Sequence, residues 1–268
     1  MTFRSLDLKL IYDNVNGTIF DDLFNPLLSH SVSYKRGVGY FSSSWLVMCA
    51  KGLLKMAEKQ GKILLVTSPH ISERDWDAFR IGNEARKNEI VFQSLAKQVE
   101  EMKKNRTDSK LILLAWLIAD ELLEVKIAIP RNNRGDFHDK FAIFEDSNGD
   151  KVALHGSLND SEQASLNGEG VSVFRSWISG QEGFVEGHEK RFDLLFLKNS
   201  SFYHVYDLPK AIREDIVRLK ENKARPYTLP VQKKALQFRT PKHINLYDFQ
   251  KEAIDNWLSN DCKGLFEM

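Results

Sequence analysis

The chain has 268 residues, of which 38 are Lys or Arg and 37 are Asp or Glu, so its formal net charge is only +1 and bulk charge does not indicate a partner. Its two cysteines lie far apart and form no Cys-x-x-Cys pair, which excludes a disulfide framework and a cysteine-based zinc site. No apolar run approaches the roughly 20 residues that span a bilayer, and the N-terminus lacks a signal-peptide pattern. We therefore expect a cytoplasmic protein with no membrane partner.

The first half of the chain alternates between helical and strand-like segments. Residues 45–56 predict a helix, and the apolar run 62–67 predicts a buried strand of a parallel or mixed sheet. Residues 75–104 and 111–123 are helical in composition, and residues 125–129 predict another strand before a proline. Strands that alternate with helices in this way are typical of an α/β fold.

A β-hairpin is predicted next. Residues 137–144 have strand character, Asn148-Gly149 is typical of a tight hairpin turn, and residues 151–155 form the returning strand. That strand leads into Gly156-Ser157-Leu158-Asn159. Since the two strands lie side by side, this segment should come close to the start of the first strand.

The hairpin carries side chains suited to phosphate chemistry. Side chains alternate along a strand, so His138 and Lys140 should share one face while Phe141 enters the core on the other. Imidazole can attack phosphorus or protonate a leaving oxygen. The remaining groups suit an anion: a positive charge on Lys140, a hydroxyl on Ser157, an amide on Asn159 and close backbone approach at Gly156.

These residues resemble the signature of the phospholipase D superfamily, which is His-x-Lys, a carboxylate about five residues later, and Gly-[Ser/Gly]-x-Asn. Here glutamate (Glu145) stands at the usual aspartate spacing, Asp146 follows it, and the turn before the glycine is longer. Asn167-Gly168-Glu169 resembles the Asn-x-Glu that follows in many members. The resemblance implies a mixed α/β sheet flanked by helices. It also implies catalytic roles for His138, Lys140, Asn159 and Glu169, and substrate binding by Gly156, Ser157 and Glu145.

The resemblance carries two further implications. The family chemistry uses two histidines, one that forms a phosphohistidine and one that acts as acid and base, so one motif per chain implies a homodimer. The reaction that it implies uses no metal and no cofactor. A second triplet, His188-Glu189-Lys190, has no Gly-Ser-x-Asn after it and is predicted to be a solvated helix face, with a second catalytic half as the alternative. We predict that His155 is a packed or partly exposed strand residue and that His70 lies in a loop, with a substrate role as the alternative for each.

The C-terminal part differs from the rest in charge. Residues 198–243 contain 11 Lys and Arg against 4 Asp and Glu, which is compatible with phosphate contact and equally with a solvated linker. Residues 246–258 predict an amphipathic helix that, with residues 263–268, resembles the entry to a superfamily 2 helicase motor; the alternative is a terminal packing helix. We expect the chain to stop before an ATP site, so that ATP and Mg²⁺ would act only in that motor.

These observations predict a nuclease domain at 1–200, a basic helix and linker at 201–243 and the start of a motor at 244–268. The leading hypothesis is a metal-independent DNA phosphodiesterase, the nuclease module of a restriction or phage-defence helicase. A catalytically degenerate module that dimerises and binds DNA is the alternative. Hydrolysis of lipid headgroups is disfavoured, because the chain has one motif and no evident membrane-binding segment.

Overall fold

A mixed β-sheet forms the centre of the first of two structural units, Met1–Pro230 and Val231–Met268. The computed structural model describes residues 2–14, 18–39, 44–69, 84–104, 108–131, 137–158, 168–229 and 247–259. In those residues the sheet has eight strands in the order β1-β7-β6-β5-β2-β3-β4-β8. The strands are β1 (Ile11–Asp13), β2 (Ser31–Val38), β3 (Lys62–Thr67), β4 (Leu123–Pro130), β5 (Lys140–Asp146), β6 (Lys151–Gly156), β7 (Gly170–Arg175) and β8 (Tyr203–Asp207).

Helices flank this sheet on both faces. Strands β2, β3 and β4 run parallel, and every other neighbouring pair is antiparallel, which confirms the predicted mixed sheet. None of the described helices is both long and apolar enough to cross a bilayer. The helices of the first unit are α1 (Asn25–His30), α2 (Ser44–Met48), α3 (Ala50–Glu58), α4 (Glu84–Lys104), α5 (Asp108–Ala119), α6 (Glu182–Phe196) and α7 (Lys210–Arg218); α8 (Asp248–Ser259) belongs to the second.

Some predicted elements differ from those observed. The single helix predicted over 45–56 is two helices, because the backbone at Cys49 leaves helical geometry (φ −100°, ψ 7°). The predicted strand 137–144 begins only at Lys140, and strands β1, β7 and β8 were not predicted. The predicted start of α4 at residue 75 lies outside the described residues.

The pairing register gives the two faces of the sheet different contents. The sheet separates two hydrophobic cores of unequal size. Lys140 pairs with Val38 of β2, and the side chains in line with this pair face the larger core, which α1, α3, α4 and α5 cover. Phe141 pairs with Gly37 on one side and with His155 on the other, and this row faces a second, smaller core beneath α6. Glycine is needed at position 37, because a Cβ there would lie 2.4 Å from Cε1 of Phe141.

The predicted hairpin between β5 and β6 is present. Gly149 adopts a left-handed conformation (φ +80°) in the turn, as an Asn-Gly pair favours. Asp146 is only 1% exposed, and its carboxylate accepts backbone N–H bonds from Phe3, Asn148 and Asp150 at 2.8–3.1 Å. This carboxylate therefore organises the turn and anchors the N-terminal segment to it.

The sheet unit extends beyond the predicted boundary at residue 200. Strand β8 pairs with β4, and Ile212 and Ile216 of α7 are buried in the larger core. After α7, Arg225 Nη2 and Tyr227 Oη each contact the Asp120 carboxylate, at 2.9 and 2.8 Å. Residues 201–229 are thus part of the first unit, because their apolar side chains complete its core. The rest of the predicted linker, 230–243, lies outside the described residues, as do residues 244–246 at the start of the predicted motor.

Candidate active site

His138 and Lys140 lie together at the start of β5. Lys140 is 6% exposed, and its Nζ lies 3.0 Å from Nδ1 of His138 and donates to the His138 carbonyl oxygen at 2.8 Å. His138 itself is exposed in the segment just before the strand. The structure therefore brings an accessible imidazole and a buried ammonium group into direct contact, and an ammonium group is a charged donor that suits an anion.

A buried arginine, which we did not predict, lies close to this pair. Arg36 on β2 is 2% exposed, and its Nη2 donates to the Leu158 carbonyl oxygen at 2.7 Å, just after β6. Burial lowers the pKa of the Lys140 ammonium, and the positive charge of Arg36 lowers it further. Two cations within one buried region favour a bound anion.

Glu169 lies near enough to Lys140 for its charge to act on the ammonium group. It is half-buried, directly precedes β7, and accepts a bond from the Asn14 backbone N–H at 3.3 Å through its carbonyl oxygen. Its carboxylate charge opposes the other two effects and raises the pKa of Lys140. Of the predicted catalytic residues, His138 and Lys140 are therefore in contact and Glu169 lies near enough for its charge to act on Lys140. Asn159 lies outside the described residues, as does Asn167.

Gly156 and Ser157 lie at the end of β6, beside β7. A Cβ on Gly156 would lie 2.1 Å from the Gly170 carbonyl oxygen, so glycine is required there by the close approach of the two strands. Ser157 is exposed, and its Oγ accepts a bond from the Gly170 N–H at 3.3 Å. The predicted glycine is therefore needed for strand packing, whereas the serine hydroxyl is accessible to a ligand.

Glu145 lies at the opposite end of β5. It is five residues beyond Lys140, which in a strand is about 16 Å away. Its carboxylate lies 3.9 Å from Nζ of Lys151, next to the hairpin turn. The structure therefore does not bring Glu145 together with the other predicted substrate-binding residues, because a carboxylate at this spacing lies next to the hairpin turn, at the far end of the strand.

A second cluster of polar side chains occupies the opposite face of β5. Asp139 pairs with Arg191 of α6, and its Oδ1 lies 3.7 Å from Nε2 of His155. The rings of His155 and His188 are 5.1 Å apart, and His188 stacks on Phe141 at 5.7 Å. Burial, and then the neighbouring His155, lower the pKa of His188.

The helix predicted around His188 is present as α6, but the prediction of a solvated face is wrong at His188, since this side chain packs against the sheet. His155 is a partly exposed strand residue, as predicted, and His70 lies outside the described residues. Within the described ranges, no group of three or more His, Cys, Asp and Glu side chains is placed to hold a metal ion.

Comparison with known proteins gives matches among solved structures. No protein-family model and no curated protein matches the chain. NucT from Helicobacter pylori is 15% identical over 72% of this chain and 96% of its own, with a TM-score of 0.41. Nuc from Salmonella typhimurium, a phospholipase D family member, is 14% identical over 75% and 97%, with a TM-score of 0.41. Phosphatidylserine synthase from Haemophilus influenzae is 11% identical over 79% and 45%, with a TM-score of 0.44.

Proposed function

We propose that this chain is a phosphodiesterase that cleaves DNA without a metal ion, through a phosphohistidine formed on His138. One observation carries the proposal: an exposed imidazole lies 3.0 Å from the buried Lys140 ammonium. Arg36 adds a second buried positive charge to the same region. Such preorganised charge stabilises the negative charge that develops on a phosphoryl group in the transition state.

The imidazole would attack phosphorus through Nε2, because Nδ1 faces Lys140. A charged Lys140 that donates to Nδ1 leaves the imidazole proton on Nε2, and in this tautomer Nε2 has no lone pair with which to attack phosphorus. When the Lys140 ammonium donates to the substrate phosphate and no longer to Nδ1, the imidazole proton can move to Nδ1, and Nδ1–H can then donate to a carboxylate. Glu169, whose charge already acts on Lys140, is that acceptor in this proposal. The Nε2 lone pair then becomes available.

The proposed reaction has two steps, formation and hydrolysis of the phosphohistidine. Nε2 forms a bond to phosphorus while the bond from phosphorus to the leaving oxygen breaks, and a second imidazole protonates that oxygen. Water then attacks the phosphohistidine, gives its proton to the second imidazole and releases His138. In this proposal the second imidazole is His138 of another copy of the chain, in a homodimer. We also propose that the chain serves a helicase, on the resemblance of residues 246–268 to the entry of a motor.

The test uses the full chain with supercoiled plasmid DNA in excess EDTA. We expect nicking by the wild type and at least about a thousandfold loss in His138→Ala. His30→Ala is the matched control, because His30 precedes β2 and so lies at the end of the sheet away from Lys140. An acid-labile phosphate adduct on His138 should be trapped during turnover.

Strict dependence on Mg²⁺, or full activity in His138→Ala, would contradict the proposal. DNA binding that weakens with salt and yields no cleaved product at any protein concentration would instead support a catalytically degenerate DNA-binding module.

A further inference from the structure

Asp139 lies between the two residues of the candidate active site, but its side chain lies on the other face of β5. The carboxylate is 14% exposed and pairs with the Arg191 guanidinium, while His155 approaches it at 3.7 Å. Because the neighbours of Asp139 in the chain are His138 and Lys140, a shift of the backbone at Asp139 moves both of them.

Arg191 is held in place by packing. Its guanidinium carbon lies 4.9 Å from the centroid of the fully buried Phe141 ring, and the next residue of α6, Phe192, is also fully buried. The Phe141 ring in turn occupies the space above Gly37 of β2. The Arg191 side chain, which is 45% exposed, therefore presents its charge to Asp139 from the edge of the second core.

The other side of the same segment is held by backbone packing. A Cβ on Gly39 would lie 2.7 Å from the Phe137 carbonyl oxygen and 3.3 Å from the Cα of His138. The chain just after β2 therefore presses directly on the residues before β5. Contact with Gly39 and the ion pair with Arg191 together restrict the segment that carries His138.

We propose that Asp139 and Arg191 are positioning residues, whose ion pair across β5 keeps His138 and Lys140 in the geometry needed for attack on phosphorus. This inference rests on the proposed function. Neither side chain lies on the face of β5 that carries Lys140, since Asp139 faces α6 and Arg191 belongs to that helix. A displacement of about 1 Å in a reacting group can cost about a hundredfold in rate, so loss of the ion pair should lower kcat.

The kinetic test compares Asp139→Asn, Arg191→Gln and the double variant with wild type. We expect kcat to fall about 10- to 100-fold with KM within about twofold, and the double variant to be no slower than the slower single variant, because both remove one interaction. Arg191→Lys retains the charge and should recover part of the loss. Arg4→Gln is the matched control, because it breaks the two-bond ion pair with Asp150 at the hairpin turn.

A second readout does not depend on activity. The ring nitrogen resonances of His138 should shift in Asp139→Asn and Arg191→Gln and stay unchanged in Arg4→Gln. If wild type does not cleave DNA, the proposed function fails, and these resonances still decide the positioning role. If the His138 resonances do not move in folded Asp139→Asn and Arg191→Gln, the inference is overturned whether or not kcat falls. It is also overturned if wild type is active and the kcat of these variants stays within twofold of it. Asp139→Asn is nearly isosteric, which favours a folded variant.

Discussion

At the scale of single residues, the candidate active site depends on two buried cations. Lys140 is 6% exposed and Arg36 is 2% exposed, and each is held by a carbonyl oxygen at hydrogen-bond distance. Buried like charges disfavour each other, and an anion bound between them relieves that cost. The charge needed for phosphate is thus already present in the folded chain.

The Lys140 ammonium should give the reaction an alkaline limit below the ordinary range for lysine. Burial and then Arg36 lower its pKa, so rising pH removes the proton earlier than in an exposed lysine, and the neutral amine no longer attracts phosphate. Substitution Arg36→Met removes the positive neighbour, which should move the alkaline limb of kcat/KM to higher pH, whereas Arg36→Lys should leave it in place. Profiles of kcat/KM between about pH 7 and 11 measure this. An alkaline limb that does not move in Arg36→Met would contradict the assignment.

The sequence predicts some of these residues and cannot predict others. Proximity of His138 and Lys140 follows from their spacing of two residues in an extended segment, because alternate side chains share one face. The burial of Arg36 depends on the pairing of β2 with β5, more than a hundred residues apart, so no local pattern indicates it. The same holds for Asp139, whose partner Arg191 comes from α6.

At the scale of elements, the β5–β6 hairpin separates the roles of two adjacent carboxylates. Asp146 is buried and accepts three backbone N–H bonds, whereas Glu145 is partly exposed beside Lys151. A signature match at this spacing selects Glu145, while the structure gives the larger role to Asp146. The hairpin itself was predictable because Asn-Gly turns are local. The strands β1 and β8 were not predicted, because they are short and their pairing partners lie far away in sequence.

We expect Asp146→Ala to lower the free energy of unfolding by about 1–3 kcal/mol, because it leaves buried N–H groups without their acceptor. Glu145→Ala is the adjacent control and should change it by less than about 0.5 kcal/mol. Urea unfolding followed by circular dichroism measures both, and neither variant should lose DNA cleavage while folded. Loss of cleavage in folded Glu145→Ala would show that this carboxylate acts on the substrate after all.

At the scale of the whole molecule, the basic C-terminal stretch is partly used for packing. Lys220 and Arg225 lie over the Trp116 ring at 4.5 and 4.6 Å, and Arg225 also pairs with Asp120. These two positive charges therefore make contacts within the first unit and are not wholly available to a partner. The sequence indicated a connector here because charge and proline dominate the composition, which masks the few apolar residues of α7 that enter the core.

The extent of the sheet unit can be tested by truncation. A chain ending at residue 229 retains β8 and α7, so its Tm should stay within about 4 °C of the full chain, which corresponds to about 1 kcal/mol. A chain ending at residue 200 loses Ile212 and Ile216, which lie against Leu114 and Ile118 of α5. Exposure of that apolar surface should abolish cooperative unfolding and cause aggregation. Thermal melts with size-exclusion chromatography measure both outcomes, and a monodisperse 1–200 chain with an unchanged Tm would restore the boundary that the sequence predicted.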